Sequence, residues 1–75
     1  MADNVLDARG LNCPLPILKA KKALKDVPGG GTLQVLATDP GSIPDFKAFC
    51  RTTGNELLEY REHDGVFEFL IRKPL

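Results

Sequence analysis

Glycine and proline cut this chain of 75 residues into six short pieces, and that punctuation limits what it is able to fold into. The breaks fall at Arg9-Gly10, at Pro28 to Gly31, at Asp39-Pro40-Gly41, at Gly54 and at Asp64-Gly65. Each piece has room for one strand or one helix, and none approaches the roughly 20 apolar residues that span a bilayer. The whole chain, residues 1–75, therefore reads as a single domain. A chain this short buries only about 60% of its unfolded surface, so its pieces must share one core.

Periodicity assigns each piece. "NVLDA", Asn4 to Ala8, is a short apolar strand. Pro14 to Val27 has helical spacing: Ile17, Ala20, Ala23, Leu24 and Val27 share one arc, and Lys19, Lys21, Lys22, Lys25 and Asp26 the opposite one. "TLQVLAT", Thr32 to Thr38, alternates as a strand does and is rich in β-branched and apolar residues. Ser42 is placed to cap a second helix, with Asp45 three residues on, and that helix runs to about Thr53 before Gly54. Its apolar arc holds Ile43, Phe46, Phe49 and Cys50. "NELLEYRE" and "VFEFLIR" are two strands joined at His63-Asp64-Gly65, where Asp-Gly favours a tight hairpin. The order βαβαββ, with right-handed crossovers, puts both helices on one face of a four-stranded mixed sheet. The expected fold is an α+β two-layer sandwich. Gln34, Glu68 and Arg72 alternate toward the other face, which is free for solvent or a partner.

Charge narrows the function. Ten basic residues balance ten acidic ones, so no whole-molecule attraction to nucleic acid or an anionic membrane is expected. "MADNVLDARG" has neither the basic nor the apolar region of a secretory signal, which points to the cytoplasm. Two cysteines, one histidine and no CxxC pair make neither a disulfide framework nor a zinc site. Free thiols and no metal are the expectation. His63 reads as a solvated turn residue, and Pro28 to Gly31 lacks the Gly-Lys-Ser/Thr ending of a phosphate loop.

Cys13 is the residue whose place calls for chemistry. It stands in "GLNCPLPILKAKKAL", where Gly10 turns the chain and Pro14 and Pro16 stiffen the start of a helix. Proline suits the first helical position, which makes Cys13 the expected N-cap. The remaining free amides, chiefly those of Leu15 and Ile17, and the helix dipole then favour a sulfur anion, with a pKa below the ordinary value of about 8.5. Serine, threonine, aspartate and asparagine are the preferred caps, so cysteine is an odd choice for capping alone. Cys50, beside Phe46 and Phe49, reads instead as a small core residue.

"LDARGLNCPLP" resembles the N-terminal signature of the TusA/SirA-like sulfur carrier family. "ATDPGS", "FCRTTGNEL" and "FLIRK" resemble further segments of it in register, so the likeness spans nearly the whole chain. Asn55 departs from it, since members often have histidine there. The resemblance implies a βαβαββ sandwich and no resident cofactor: Cys13 carries sulfur as a transient covalent persulfide. A cysteine desulfurase or a rhodanese would load it, and an acceptor sulfur-relay protein would unload it. The family serves tRNA 2-thiouridine formation, molybdenum cofactor maturation or dissimilatory sulfur transfer. Such a chain has sulfurtransferase-type activity rather than the turnover of a conventional enzyme.

The helical wheel adds a candidate docking surface. Leu15 and Leu18 fall on the lysine side near Cys13, with Lys19, Lys22 and Lys25 around them. A monomer that meets donor and acceptor proteins in turn is expected, with no direct nucleic-acid or membrane partner. A nucleic-acid-binding module or a thiol redox-regulatory module are the alternatives. Zero net charge argues against the first, and the lack of a second cysteine near Cys13 in sequence against the other.

Overall fold

The computed structural model describes residues 4–75, and its elements follow the predicted order: β1 (Asn4–Ala8), α1 (Leu15–Leu24), β2 (Thr32–Ala37), α2 (Ser42–Thr53), β3 (Glu56–His63) and β4 (Val66–Arg72). The four strands form one sheet in the order β1-β2-β4-β3. β1 and β2 are parallel, with Val5 opposite Gln34 and Ala8 opposite Ala37. β4 runs antiparallel to both β2 and β3. The fold is the expected α+β sandwich.

Strand periodicity builds the core. Leu33, Val35 and Ala37 of β2 and Phe67, Phe69 and Ile71 of β4 all point to one face and are buried. α1 lies over β1 and β2, α2 over β3 and β4, and the helices touch each other. Ala8, Ala20 and Ala37 are fully buried, and residues this small let α1 sit close on the two parallel strands. Phe46 of α2 stacks on Phe69 at 4.6 Å between centroids, and Phe49 meets Phe46 edge-on at 6.3 Å. Cys50 joins this cluster, as its helical position indicated. Burial pushes its thiol pKa up. On the opposite face Gln34 donates to Glu68 at 3.0 Å, Arg61 pairs with Glu68 at 3.2 Å and Arg72 pairs with Glu56.

The boundaries differ from the sequence reading at the helix ends. α1 stops at Leu24, not Val27, because the last amides reach back three residues rather than four: Lys25 to Lys22, Asp26 to Ala23 and Val27 to Leu24. Lys73 donates its Nζ to the Leu24 carbonyl at 2.8 Å, putting a cation at the negative end of the helix dipole. Ser42 is not the N-cap of α2. Gly41 is, and Ser42 is the first helical residue, buried, with no hydrogen-bond partner for its hydroxyl among the described residues. The hairpin turn is also one residue tighter: His63 pairs with Val66 in the sheet, leaving Asp64 and Gly65 as the two turn residues. Their φ values of 52° and 80° meet the need of such a turn for two left-handed residues. No helix is long and apolar enough to cross a membrane among the described residues.

The Phe46–Phe69 stack should carry much of the stability. Phe46→Ala is expected to cost about 3–5 kcal/mol, a large share of the roughly 5–15 kcal/mol typical of a domain. Cys50→Ala, which removes one sulfur from the same cluster, should cost only about 1–2 kcal/mol. Urea midpoints at constant slope check both.

Candidate functional site

β1 and β2 are parallel, so their C-terminal ends lie at the same edge of the sheet, and α1 and α2 both begin there. Cys13 occupies the loop from β1 to α1. Gly10 makes that loop possible: its φ of 81° lies in the left-handed region, where a side chain is strained. Its amide donates to Thr38 Oγ1 at 2.9 Å, just past the end of β2. Three residues on, the Cys13 amide donates to Asp39 Oδ2 at 2.9 Å. The loop is thus tied twice to the end of β2. The other Asp39 oxygen, Oδ1, accepts from the Gly41 amide at 3.3 Å, and the Asp39 carbonyl accepts from Ser42 at 2.9 Å. One aspartate therefore holds both the cysteine loop and the start of α2.

Cys13 is not the N-cap of α1. Pro14 is, with φ −99° and ψ 17°, and the peptide bond between them is cis. Pro16, predicted only as a first-turn residue, is buried beneath the helix. The Leu15 amide, expected near the sulfur, instead donates to the Asn12 carbonyl at 2.8 Å.

The charge around the sulfur also differs from the expectation. The thiol is exposed, and carboxylate oxygens of Asp45 in α2 and of Asp39 lie within 4.8 Å of its sulfur. The Asp45 carboxylate beside it, the partial desolvation of the sulfur and the charge of Asp39 together raise the Cys13 pKa above that of an ordinary thiol. The prediction of a lowered pKa fails because it counted the dipole of α1 and missed two carboxylates delivered by α2 and the loop before it. The resting site thus holds a thiol with two carboxylates beside it.

Cys13, Asp39 and Asp45 place one ligating atom each within 4.8 Å of one another. Both Asp39 oxygens already accept backbone amides. The sulfur opens onto a shallow groove of about 320 Å³ between the helices, floored by Pro14, Ile17, Ala48 and Phe49. A groove this open suits a reagent delivered by another macromolecule better than an enclosed small substrate.

The other sequence candidates fall as follows. Leu15 and Leu18 are 46% and 54% exposed, and Lys19, Lys22 and Lys25 are exposed on the same side of α1. His63 is far along the hairpin, with its Nε2 3.2 Å from Asp64 Oδ2. Asn55 donates to Thr53 Oγ1 at 2.8 Å at the end of α2, a local contact outside the site. Asp39 and Asp45 are the site residues that sequence reasoning missed. Their only signal was position: an Asp-Pro-Gly break and an acid in the first turn of a helix, both accounted for locally.

Removing the Asp39 carboxylate should loosen the cysteine loop and α2 together. Asp39→Ala, which orphans two amides, is expected to destabilise the domain by about 1–3 kcal/mol. Amide exchange at Cys13 and Gly41 should accelerate together, well ahead of exchange at Val35 in the core strand.

A chain with this site has relatives. The family described as "Sulfurtransferase TusA" matches residues 4–73. The chain is similar to the sulfur carrier protein TusA of Allochromatium vinosum, 61% identical over 95% of this chain and 93% of that one. It is similar to a putative sulfur carrier protein of Neisseria meningitidis, 54% identical over 96% and 97% of the two chains. Among solved structures it resembles the SirA-like protein of Desulfitobacterium hafniense, with a TM-score of 0.83, 34% identity and coverage of 96% and 99%. An exposed cysteine in a Cys-Pro-Leu-Pro turn, on a βαβαββ sandwich matched across almost its whole length, places this chain in the TusA family of sulfur carriers.

Proposed function

We propose that Cys13 holds sulfane sulfur as a persulfide and that the chain relays it from a donor protein to an acceptor protein in the cytoplasm. The donor is a cysteine desulfurase or a rhodanese, the acceptor is another sulfur-relay protein, and the carrier acts as a monomer without a resident cofactor. The observation that carries this reading is the exposed Cys13 thiol at the mouth of a shallow, apolar groove, in a family of sulfur carriers. Relay of this kind is thiol exchange between two proteins, and it needs an accessible sulfur and two successive dockings. Cys50 is unsuited to it, being buried beneath α2.

The docking surface is α1. Leu15, Leu18, Lys22 and Lys25 follow one another at spacings of three, four and three residues and so lie in one line down the helix. Lys19 flanks that line. An apolar contact beside the sulfur with a basic rim suits acidic partners and a small transient interface.

Two experiments test this. Incubation with a cysteine desulfurase and cysteine should add about 32 Da to Cys13, the mass of one sulfur on the thiol. Cys13→Ser should abolish the gain and Cys50→Ala should keep it; loading that survives Cys13→Ser overturns the assignment. For docking, Leu18→Asp should slow uptake by tenfold or more, the order of one lost interface anchor, while the melting temperature holds. Lys22→Glu should slow association at low salt and much less at high salt.

A further inference from the structure

The reading above leaves a proton unaccounted for. A thiol that begins protonated must lose its proton to become a nucleophile, and the leaving sulfur of the donor must gain one. We propose that Asp45 is the catalytic base of sulfur uptake, taking the proton of Cys13 as the sulfur attacks and passing it to the departing donor thiolate. This inference rests on Cys13 being the persulfide carrier.

Geometry selects Asp45. The Cys13, Asp39 and Asp45 ligating atoms lie within 4.8 Å of one another, and among the described residues these are the two acids grouped with the sulfur. Asp39 is committed: Oδ2 accepts from Cys13 N and Oδ1 from Gly41 N, and both bonds hold the loop in place. Asp45 has no such backbone duty. Its amide donates to the Gly41 carbonyl at 3.2 Å, and its carboxylate stands within 4.8 Å of the Cys13 sulfur. It also lines the groove through which a donor sulfur must arrive. A base must reach the proton it takes directly or through one water, and a carboxylate within 4.8 Å of the sulfur is in that range. Among the described residues, the charged groups that act on the thiol are Asp45 and Asp39.

The step balances without an outside oxidant or reductant. Cys13 Sγ attacks the terminal sulfur of the donor persulfide, R–S–S–H, while its proton moves to the Asp45 carboxylate. The bond between the two donor sulfurs breaks, and its electron pair leaves on the inner sulfur. The proton then passes from Asp45 to that thiolate. The products are the donor thiol, R–S–H, and Cys13 as –S–S–H. In delivery the same steps run in reverse, and Asp45 returns the proton to Cys13 as it leaves. A high-pKa thiol is intrinsically the stronger nucleophile but the poorer leaving group, so a proton-handling neighbour serves both directions.

The test is the rate of sulfur uptake from glutathione persulfide, followed by the mass of Cys13, for the wild-type chain and for Asp45→Asn across pH 6 to 10. The wild-type chain must load first; if it does not, the persulfide reading fails and not this one. With Asp45 as base, Asp45→Asn is expected to take up sulfur about tenfold or more slowly at pH 7, the lower part of the range for a lost general base. The deficit should close as pH rises and the thiol ionises unaided, and the ratio of the two rates cancels the titration of the donor. If Asp45 acts only through its charge, the same substitution frees more thiolate and raises uptake at pH 7. An equal or faster rate at neutral pH, or a deficit independent of pH, overturns the proposal. Asp45→Ser, read in the same way, serves if the asparagine variant melts early.

Discussion

The site depends on the carboxylate of Asp39. With one oxygen it accepts the amide of Cys13, and with the other the amide of Gly41, the residue that caps α2. Two chain segments that are far apart in sequence are joined through a single side chain. The Gly10 bond to Thr38 adds a second tie to the same strand end. Charge-neutral amides on a carboxylate give a strong, directional anchor, and a sulfur that must meet two different proteins benefits from being held by its backbone while its side chain stays free. The scaffold beneath, built from the alternate residues of β2 and β4 and the Phe46–Phe69 stack, fixes where those strand ends lie.

That anchor also sets the electrostatics. Bringing Asp39 to the loop and Asp45 down from α2 puts two acids near the sulfur, and no described cation offsets them there. The result is a thiol kept protonated at rest. A carrier exposed in this way gains from being unreactive until a donor arrives, because susceptibility to adventitious oxidation follows thiolate character and exposure. The two cysteines also differ in what raises their pKa: burial for Cys50, chiefly the neighbouring carboxylates for Cys13.

Much of this was legible in the chain. Glycine and proline marked every element boundary within a few residues, alternation in "TLQVLAT" and "VFEFLIR" gave the buried face of the sheet, and helical spacing placed Cys50 in the core. The Cys-Pro-Leu-Pro turn singled out Cys13 by its oddness as a helix start. What the chain did not show was anything set by contact across the fold. Asp45 reads locally as a helix-start acid and Asp39 as a turn residue, and each is satisfied by that reading until the loop carrying Cys13 is laid beside them. The expected pKa had the wrong sign for the same reason: dipoles of a residue's own helix are visible in sequence, whereas charges from another helix are not. Ser42, whose hydroxyl is buried without a partner, is a reminder that cap chemistry read from residue type is overridden when the turn before it already supplies the cap.

The central claim is that Asp39 and Asp45 hold the Cys13 thiol in its protonated form. The most direct measurement is a thiolate absorbance titration of the Cys50→Ala protein, in which Cys13 is the only remaining thiol. The account predicts an ionisation midpoint above the roughly 8.5 of free cysteine. A midpoint at or below that value would mean that the dipole of α1 outweighs the two carboxylates, and would contradict it.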